Sequence, residues 1–198
     1  MSGKWALAGQ EIPSVVGEPV ARERQPGPLP PVKAVLRELV AAHLQEVRAS
    51  LSERIARLSP DQFEELVAQF LVRLGYLNVR RTGGPGDRNV DVTGSYAPPF
   101  MEVPVRVQVK HKQHGATVGP TDVAAFRDRA GGVGHALLMV TNERLTGGAL
   151  ETASEQGRQR VHVLQGDSLV DGMIDERIGV KEGPFGLLEI DEEFFAQF

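Results

Sequence analysis

The 198-residue sequence contains no cysteine, so it can form neither disulfides nor thiolate metal sites. Long apolar runs are also absent, because no stretch reaches the roughly eighteen apolar residues that a membrane span needs. The five histidines are scattered, and none has the spacing of a zinc hydrolase motif. The first residues carry no sustained apolar segment, which argues against a secretory signal. We therefore expect a cytoplasmic protein that lacks membrane segments and zinc chemistry.

The composition is that of a globular protein, with 41% hydrophobic and 24% charged residues. The net charge of −4 is unevenly distributed along the chain. Residues 72–112 hold seven Lys or Arg against three acids, whereas residues 150–198 hold eleven acids against four Lys or Arg. A basic segment in an acidic chain favours an anionic partner, and nucleic acid is the leading candidate. The alternative is an ordinary solvated charged face.

The chain divides by pattern into four segments. Residues 1–31 are rich in Gly and Pro, which predicts a flexible or draped N-terminal arm. Apolar residues recur at threes and fours over residues 32–58, which predicts an amphipathic helix. This helix could pack on its own domain or on a second copy. Residues 59–180 form the main domain, and the acidic, aromatic tail over residues 181–198 is expected to cover an apolar surface.

The main domain alternates helices and strands. Ser59 and Gln62 form a capping box that opens a helix, and Gly75 ends it. Hydrophobic periodicity predicts strands at 77–82, 89–94, 102–110, 135–141 and 160–164, and helices at 120–130, 146–157 and 167–176. This order predicts an α/β fold with a central mixed sheet flanked by helices on both faces.

Polar residues with metal-binding chemistry occur on two of these strands. Period-two alternation places Gln108 and Lys110 on the same side of their strand. Pairing with strand 89–94 would bring Asp91 beside them. A carboxylate, an amide oxygen and a strand carbonyl such as that of Val109 suit Mg²⁺, and a nearby lysine can stabilise charge on a phosphate. The alternative is a solvent-facing hairpin with ordinary polar residues.

The pattern of Asp91 followed by Gln108-Val109-Lys110 resembles the D…(E/Q)xK signature of restriction-endonuclease-like nucleases. More narrowly, residues 59–180 resemble the catalytic domain of the Mrr family of restriction endonucleases. The segments that carry the resemblance, in the order of the family, are FEELVAQFLVRLGY, TGGPGDRNVDVTG, VQVKHK, VGPTDVAAFRDRA, HALLMVTNERLTGGALETASEQG and VHVLQGDSLVDGMIDERIGV. The resemblance implies a restriction-endonuclease-like core with an N-terminal helical extension. It also implies cleavage of DNA phosphodiesters with Mg²⁺, or alternatively Mn²⁺.

The resemblance assigns roles to single residues. Asp91, Gln108 and the Val109 carbonyl would be metal ligands, and Lys110 would be the catalytic lysine. Glu64 matches the helical acid of the family, which stands near the metal. Asp87 matches the first acid of the loop motif. The chain departs from the family at Arg88 and Asn89, which replace the glycine-rich pair common before the motif aspartate. Gln108 in place of glutamate is typical of the family, but it removes one negative charge and should weaken metal affinity.

The basic residues around this motif are candidates for DNA contact. The expected contacts are Arg80, Arg81, Gly84, Arg88 and Lys112. His111 and Thr141 are further candidates for phosphate contact, and the alternative for His111 is a plain surface residue.

The resulting hypothesis is a Mg²⁺-dependent DNA endonuclease that acts in restriction or defence against foreign or modified DNA. Two alternatives belong to other classes: an inactive nucleic-acid-binding module, and a subunit of a defence or repair complex. The roughly 58 residues before the main domain are too few for a separate recognition domain. We therefore expect a partner protein, loops or DNA shape to contribute specificity. Cutting both strands with one site per chain would favour a homodimer.

Overall fold

The computed structural model of the chain describes residues 31–82, 90–99, 101–112 and 115–198. The predicted arm therefore lies, apart from Pro31, outside the described residues. The helices are α1 (Pro31–Arg57), α2 (Pro60–Arg73), α3 (Pro120–Ala130), α4 (Gly147–Ala153), α5 (Gly166–Asp175) and α6 (Glu192–Phe195). The strands are β1 (Leu77–Arg81), β2 (Val92–Tyr96), β3 (Val103–Lys110), β4 (Ala136–Thr141), β5 (Val161–Gln165), β6 (Val180–Glu182) and β7 (Leu188–Ile190). Among these described helices, none has the length and apolarity needed to cross a bilayer.

Five strands form the central sheet in the order β1-β2-β3-β4-β5. β2 pairs antiparallel with both β1 and β3, while β4 pairs parallel with both β3 and β5. The predicted mixed sheet is thus confirmed. Lys110 stands opposite Thr141 in the β3–β4 ladder, and Thr141 stands opposite Gln165 in the β4–β5 ladder. The carboxyl ends of the three parallel strands therefore meet at one edge of the sheet.

Helices cover both faces of the sheet, as predicted. One core cluster joins α1, α2 and α5 to the valine side of β3, represented by Val105, Val107 and Val109. The other cluster joins α3 and α4 to the opposite face, where Leu137 and Met139 of β4 are fully buried. Every second residue of β3 therefore enters the first core, which leaves its polar residues on the α3 side.

Helix α1 changes character along its length. Residues from Glu38 onward belong to the compact unit that extends to Phe198, whereas residues 31–37 belong to a separate unit and expose their apolar side chains. Farther along, Val47, Leu51 and Ile55 are buried in the first core cluster. The predicted amphipathic helix thus packs on its own domain through its C-terminal half.

The start and end of α2 follow the predicted signals. The Gln62 N–H donates to Ser59 Oγ at 3.2 Å, and the Ser59 N–H donates to Gln62 Oε1 at 2.7 Å, which completes the capping box. Gly75 has a φ of +84°, a left-handed conformation that glycine adopts without strain. This turn lets the chain reverse from α2 directly into β1, so the end of β1 lies beside the polar side of α2.

The C-terminal residues cover an apolar surface, as predicted. Phe194, Phe195 and Phe198 pack against the first core cluster together with Leu188 and Ile190. They lie on a β6–β7 hairpin and on α6, elements that the hydrophobic pattern did not predict. Elements of three or four residues are too short to show a period, which explains the omission.

Candidate active site

Asp91 lies immediately before β2, not inside a strand as the alternation predicted. Its N–H donates to the Val107 carbonyl at 2.9 Å, and its own carbonyl accepts the Thr82 N–H at 2.9 Å. The Asp91 Oδ2 accepts the Val109 N–H at 2.6 Å. A carboxylate thus replaces a backbone carbonyl as the acceptor, which suits a residue with low strand propensity. This bond holds the Asp91 carboxylate at the end of β3.

Gln108 is almost completely buried, with 2% of its surface exposed. Within the described part of the chain, its Oε1 atom has no hydrogen-bond partner. Such an atom is uncommon in folded proteins, because an unsatisfied buried acceptor costs about 1–3 kcal/mol. The solvent-facing alternative considered for this hairpin is therefore wrong at Gln108.

The polar side chains of β3 lie beneath α3, on one side of the strand as predicted. Arg106 Nη1 donates to the Ala130 carbonyl at the end of α3, at 2.5 Å. Lys110 Nζ lies 3.9 Å from Asp122 Oδ1, in the first turn of the same helix. Gln108 lies between these two residues in the strand, and alternation places its side chain on the same side.

Asp122 was not among the candidates from the sequence. Its Oδ2 accepts the Gly119 N–H at 3.3 Å, which caps α3, while its Oδ1 faces Lys110. The sequence does show an acid in the first turn of a helix, but that is an ordinary capping signal. Nothing in the local pattern indicates that α3 places this acid beside the lysine.

Glu64 projects from α2 toward the same end of the sheet, with a quarter of its side chain exposed. Burial raises the pKa of Glu64, and the negative charge of Asp91 raises it further. A hydrogen bond from Arg81 opposes this shift, since Arg81 Nη2 lies 3.3 Å from Glu64 Oε2. The effect of the Asp91 charge on Glu64 indicates that α2 places Glu64 within electrostatic reach of Asp91.

Arg81, expected to contact DNA, is bound to acids of α2. Its guanidinium pairs with Asp61, with Glu64 and, at 3.5 Å, with Glu65. The hydrogen bond to Asp61 is the main cause that raises the pKa of Arg81. By contrast, Arg80 is exposed and, among the described residues, has no carboxylate partner. The two adjacent arginines therefore differ in what they can offer to an anionic ligand.

The remaining predicted contacts are distributed unevenly. His111 Nε2 lies 3.1 Å from the Ile55 carbonyl, and its ring lies 5.1 Å from that of Phe63, so it joins α1 to α2. Thr141 is fully buried, and its Oγ1 accepts the Glu143 N–H at 3.3 Å. These contacts do not support the expected phosphate contacts of His111 and Thr141, because both side chains are used inside the protein. Gly84, Asp87 and Arg88 lie outside the described residues.

The end of β3 is fixed to β4 beyond the last rung of the ladder. The Lys112 N–H donates to Asn142 Oδ1 at 2.8 Å, and Asn142 Nδ2 donates to the Lys112 carbonyl at 2.8 Å. This pair of bonds, the Asn142 bridge, imitates a backbone pairing with a side-chain amide. It fixes the backbone two residues beyond Lys110.

The donor atoms at this site are oxygens of mixed type. Nowhere in the described ranges do three His, Cys, Asp or Glu side chains gather as a metal site. A cation here would instead combine the Asp91 carboxylate with the Gln108 amide and a backbone carbonyl. The buried Gln108 Oε1, which has no partner among the described residues, fits this role because a bound cation would satisfy it. The residues present therefore fit a hard divalent cation such as Mg²⁺ or Mn²⁺.

Comparison with known proteins identifies the domain. The model of the Mrr catalytic domain, described as a restriction endonuclease, matches residues 55–173. The type IV methyl-directed restriction enzyme EcoKMrr of Escherichia coli strain K12 is 30% identical over 161 residues, covering 77% of this chain and 51% of that enzyme. The DNA modification-dependent restriction endonuclease AspBHI superimposes with a TM-score of 0.54 at 18% identity, over 67% of this chain and 36% of that chain.

The structural likeness to AspBHI supports the restriction-endonuclease-like fold expected from the sequence. The chain spans about half the length of the curated relative that it matches. The family match, by contrast, covers more than half of this chain and includes β1 to β5 with most of the helices around them. The chain therefore belongs to the Mrr family of restriction endonucleases.

Proposed function

We propose that this protein is a divalent-metal-dependent DNA endonuclease that hydrolyses phosphodiester bonds in the restriction of foreign or modified DNA. The observation that carries the proposal is the buried Oε1 of Gln108, which has no hydrogen-bond partner in the described part of the chain. It lies one residue from the N–H that holds Asp91 and two residues from Lys110. Membership of the restriction endonuclease family supports the reaction class.

In this proposal Asp91, Gln108 and the Val109 carbonyl hold the cation, and Glu64 lies close enough to contribute through water. A bound divalent cation would polarise the scissile phosphate and lower the pKa of a coordinated water. The Val109 N–H keeps the Asp91 carboxylate in place, so this ligand needs little rearrangement. The site thus depends on residues that the sheet itself positions.

Lys110 provides the positive charge for the reaction. Its ammonium can orient the attacking water or stabilise the charge that develops on the phosphate oxygens. The side chain is about one-quarter exposed, and Asp122 lies on its α3 side. The Asn142 bridge holds the following backbone, so the lysine extends from a fixed strand end. These contacts favour a pre-organised ammonium.

Modified DNA is the substrate class that we favour. The relatives are described as a methyl-directed enzyme and as a modification-dependent endonuclease. Arg80 and Lys112 have no ion pair with another described residue, so they can contact phosphates without giving up such a pair. We propose that a homodimer cuts both strands and that a partner protein contributes specificity.

A plasmid-nicking assay tests the proposal. Supercoiled plasmid, methylated or unmethylated, is incubated with Mg²⁺ or Mn²⁺ and with wild type, Lys110→Ala or Lys181→Ala. We expect Lys110→Ala to lose about 100- to 1000-fold in rate, because it removes one electrostatic contributor. Lys181→Ala is the matched control, since Lys181 lies on β6, outside the central sheet, and it should retain full activity.

DNA affinity separates the enzyme from a binding module. One lysine among several basic residues supplies only part of the phosphate attraction, so Lys110→Ala should bind DNA almost as well as wild type. If wild type cuts no plasmid with either ion while both proteins bind DNA equally, the catalytic proposal is wrong. An inactive binding module, or a subunit of a larger complex, would then explain the retained fold.

A further inference from the structure

Arg81 has an unusual electrostatic position for a residue on an exposed strand. It stands at the end of β1 and pairs with Val92 in the β1–β2 ladder. Val92 directly follows Asp91, so Arg81 lies close to Asp91 along the sheet. Its side chain is 30% exposed and contacts Asp61, Glu64 and Glu65 on consecutive turns of α2. One guanidinium thus forms ion pairs with three carboxylates beside the candidate metal site.

One of these carboxylates, that of Glu64, also lies within electrostatic reach of Asp91. Asp91 and Glu64 repel each other, and the resulting effect, together with burial, raises the pKa of Glu64. Arg81 opposes that shift through its hydrogen bond to Glu64 Oε2. Among the described residues, Arg81 therefore compensates the negative charge on the α2 side of the site.

A divalent cation near Asp91 and Glu64 would perform the same compensation with twice the charge. It would also repel the guanidinium, because like charges a few ångströms apart oppose each other even in a high-dielectric environment. We propose that Arg81 is a built-in competitor for the divalent cation, occupying the Glu64 carboxylate until the cation binds. This inference rests on the metal site of the proposed function and names a device that regulates its occupancy.

Arg80 provides a matched comparison within the chain. It has the same charge and lies on the same strand, but it is exposed and pairs with Thr93 in the register. Among the described residues it has no carboxylate partner. If net charge alone mattered, replacing either arginine would change the metal affinity equally. If Arg81 competes for Glu64, only its replacement would change the metal affinity strongly.

Calorimetric titration of Mn²⁺ into the full chain, without DNA, tests the inference. The proteins compared are wild type, Arg81→Gln, Arg81→Lys and Arg80→Gln. At low ionic strength we expect Arg81→Gln to bind Mn²⁺ roughly three- to tenfold more tightly, because it removes a nearby positive charge. Arg81→Lys keeps the charge and should remain closer to wild type, and Arg80→Gln should change affinity less than twofold. The gain should shrink as salt screens the repulsion.

The outcomes distinguish this inference from the proposed function. If wild type binds Mn²⁺ and Arg81→Gln binds it equally or more weakly, Arg81 is not a competitor, while the metal site stands. Equal tightening in Arg80→Gln also overturns the inference, because the effect would then be one of net charge. If neither wild type nor Arg81→Gln binds Mn²⁺, the proposed metal site fails and the inference fails with it. Circular dichroism of Arg81→Gln and Arg81→Lys confirms that each variant is folded.

Discussion

Replacing Gln108 by methionine should stabilise the metal-free protein while removing its metal response. The two side chains have similar length and shape, so the substitution changes the volume of the core little. The amide oxygen that it removes is buried and, within the described residues, unpaired. We therefore predict that Gln108, the proposed metal ligand, destabilises the fold until a cation binds.

The magnitude follows from the burial of this one atom. An unsatisfied buried acceptor costs about 1–3 kcal/mol, whereas repacking a similar apolar side chain costs less than about 1.5 kcal/mol. We expect a net gain of about 1 kcal/mol in the free energy of unfolding for Gln108→Met. For a chain of this size, that gain raises Tm by roughly 2–4 °C.

Thermal unfolding with chelator and then with excess Mg²⁺ or Mn²⁺ measures both effects. Wild type should gain about 2.7 kcal/mol when the cation is at a hundred times its Kd, whereas Gln108→Met should gain far less. The order of stability of the two proteins should therefore reverse on adding the cation. The methionine variant should also be inactive in plasmid nicking.

Gln159 provides the control for the same substitution. Its Oε1 accepts the Gly132 N–H at 2.9 Å, and its Nε2 donates to the His135 carbonyl at 2.7 Å. Gln159→Met should therefore lower the free energy of unfolding by about 1–2 kcal/mol, because the Gly132 N–H and the His135 carbonyl lose their hydrogen-bond partner. If Gln108→Met loses as much as Gln159→Met in the presence of chelator, the reasoning about an unpaired oxygen is wrong.

Two further predictions concern the acids of the site. Asp91→Asn can still accept the Val109 N–H, so its free energy of unfolding should stay within about 1 kcal/mol of that of wild type. Asp91→Ala cannot, and its free energy of unfolding should fall by about 1–3 kcal/mol. Both should lose Mn²⁺ affinity in calorimetry, and unchanged affinity in either would contradict the ligand assignment. Folding raises the pKa of Glu64 above 4.5, so the native state binds more protons and the stability of the metal-free protein should fall as pH rises through that window. Denaturant titrations between about pH 4 and pH 7 should show a shallower fall for Glu64→Gln, and equal slopes would argue against the shift.

The fold was predictable because its signals are local and periodic. The valines of β3 alternate with polar residues, and Ser59 and Gln62 mark the start of α2 within four residues. The mixed character of the sheet could be inferred because the β2–β3 pair is joined by a short connection and the later strands by helices. The β6–β7 hairpin was not predicted, because strands of three residues show too little alternation to detect.

The sequence names candidate residues for the site, but it does not show their environment. The motif selects Asp91, Gln108 and Lys110, yet the burial of Gln108 depends on α3 lying over β3. Likewise, the basic character of Arg81 is visible in the sequence, whereas its three acidic partners belong to another helix. Ion pairs between different elements depend on how the helices pack on the sheet. The sequence next to each charged residue does not show which partner it meets.

The Asn142 bridge has a consequence for how this protein can change over evolutionary time. Because the side chain of Asn142, the residue after β4, is bonded to the backbone of Lys112, the end of β3 is held before the segment that begins after Lys112. Insertions or deletions in that segment can alter what the protein meets at its surface while the chemical groups keep their spacing. Under the proposed function, new substrate preferences could thus arise in that segment without loss of the reaction.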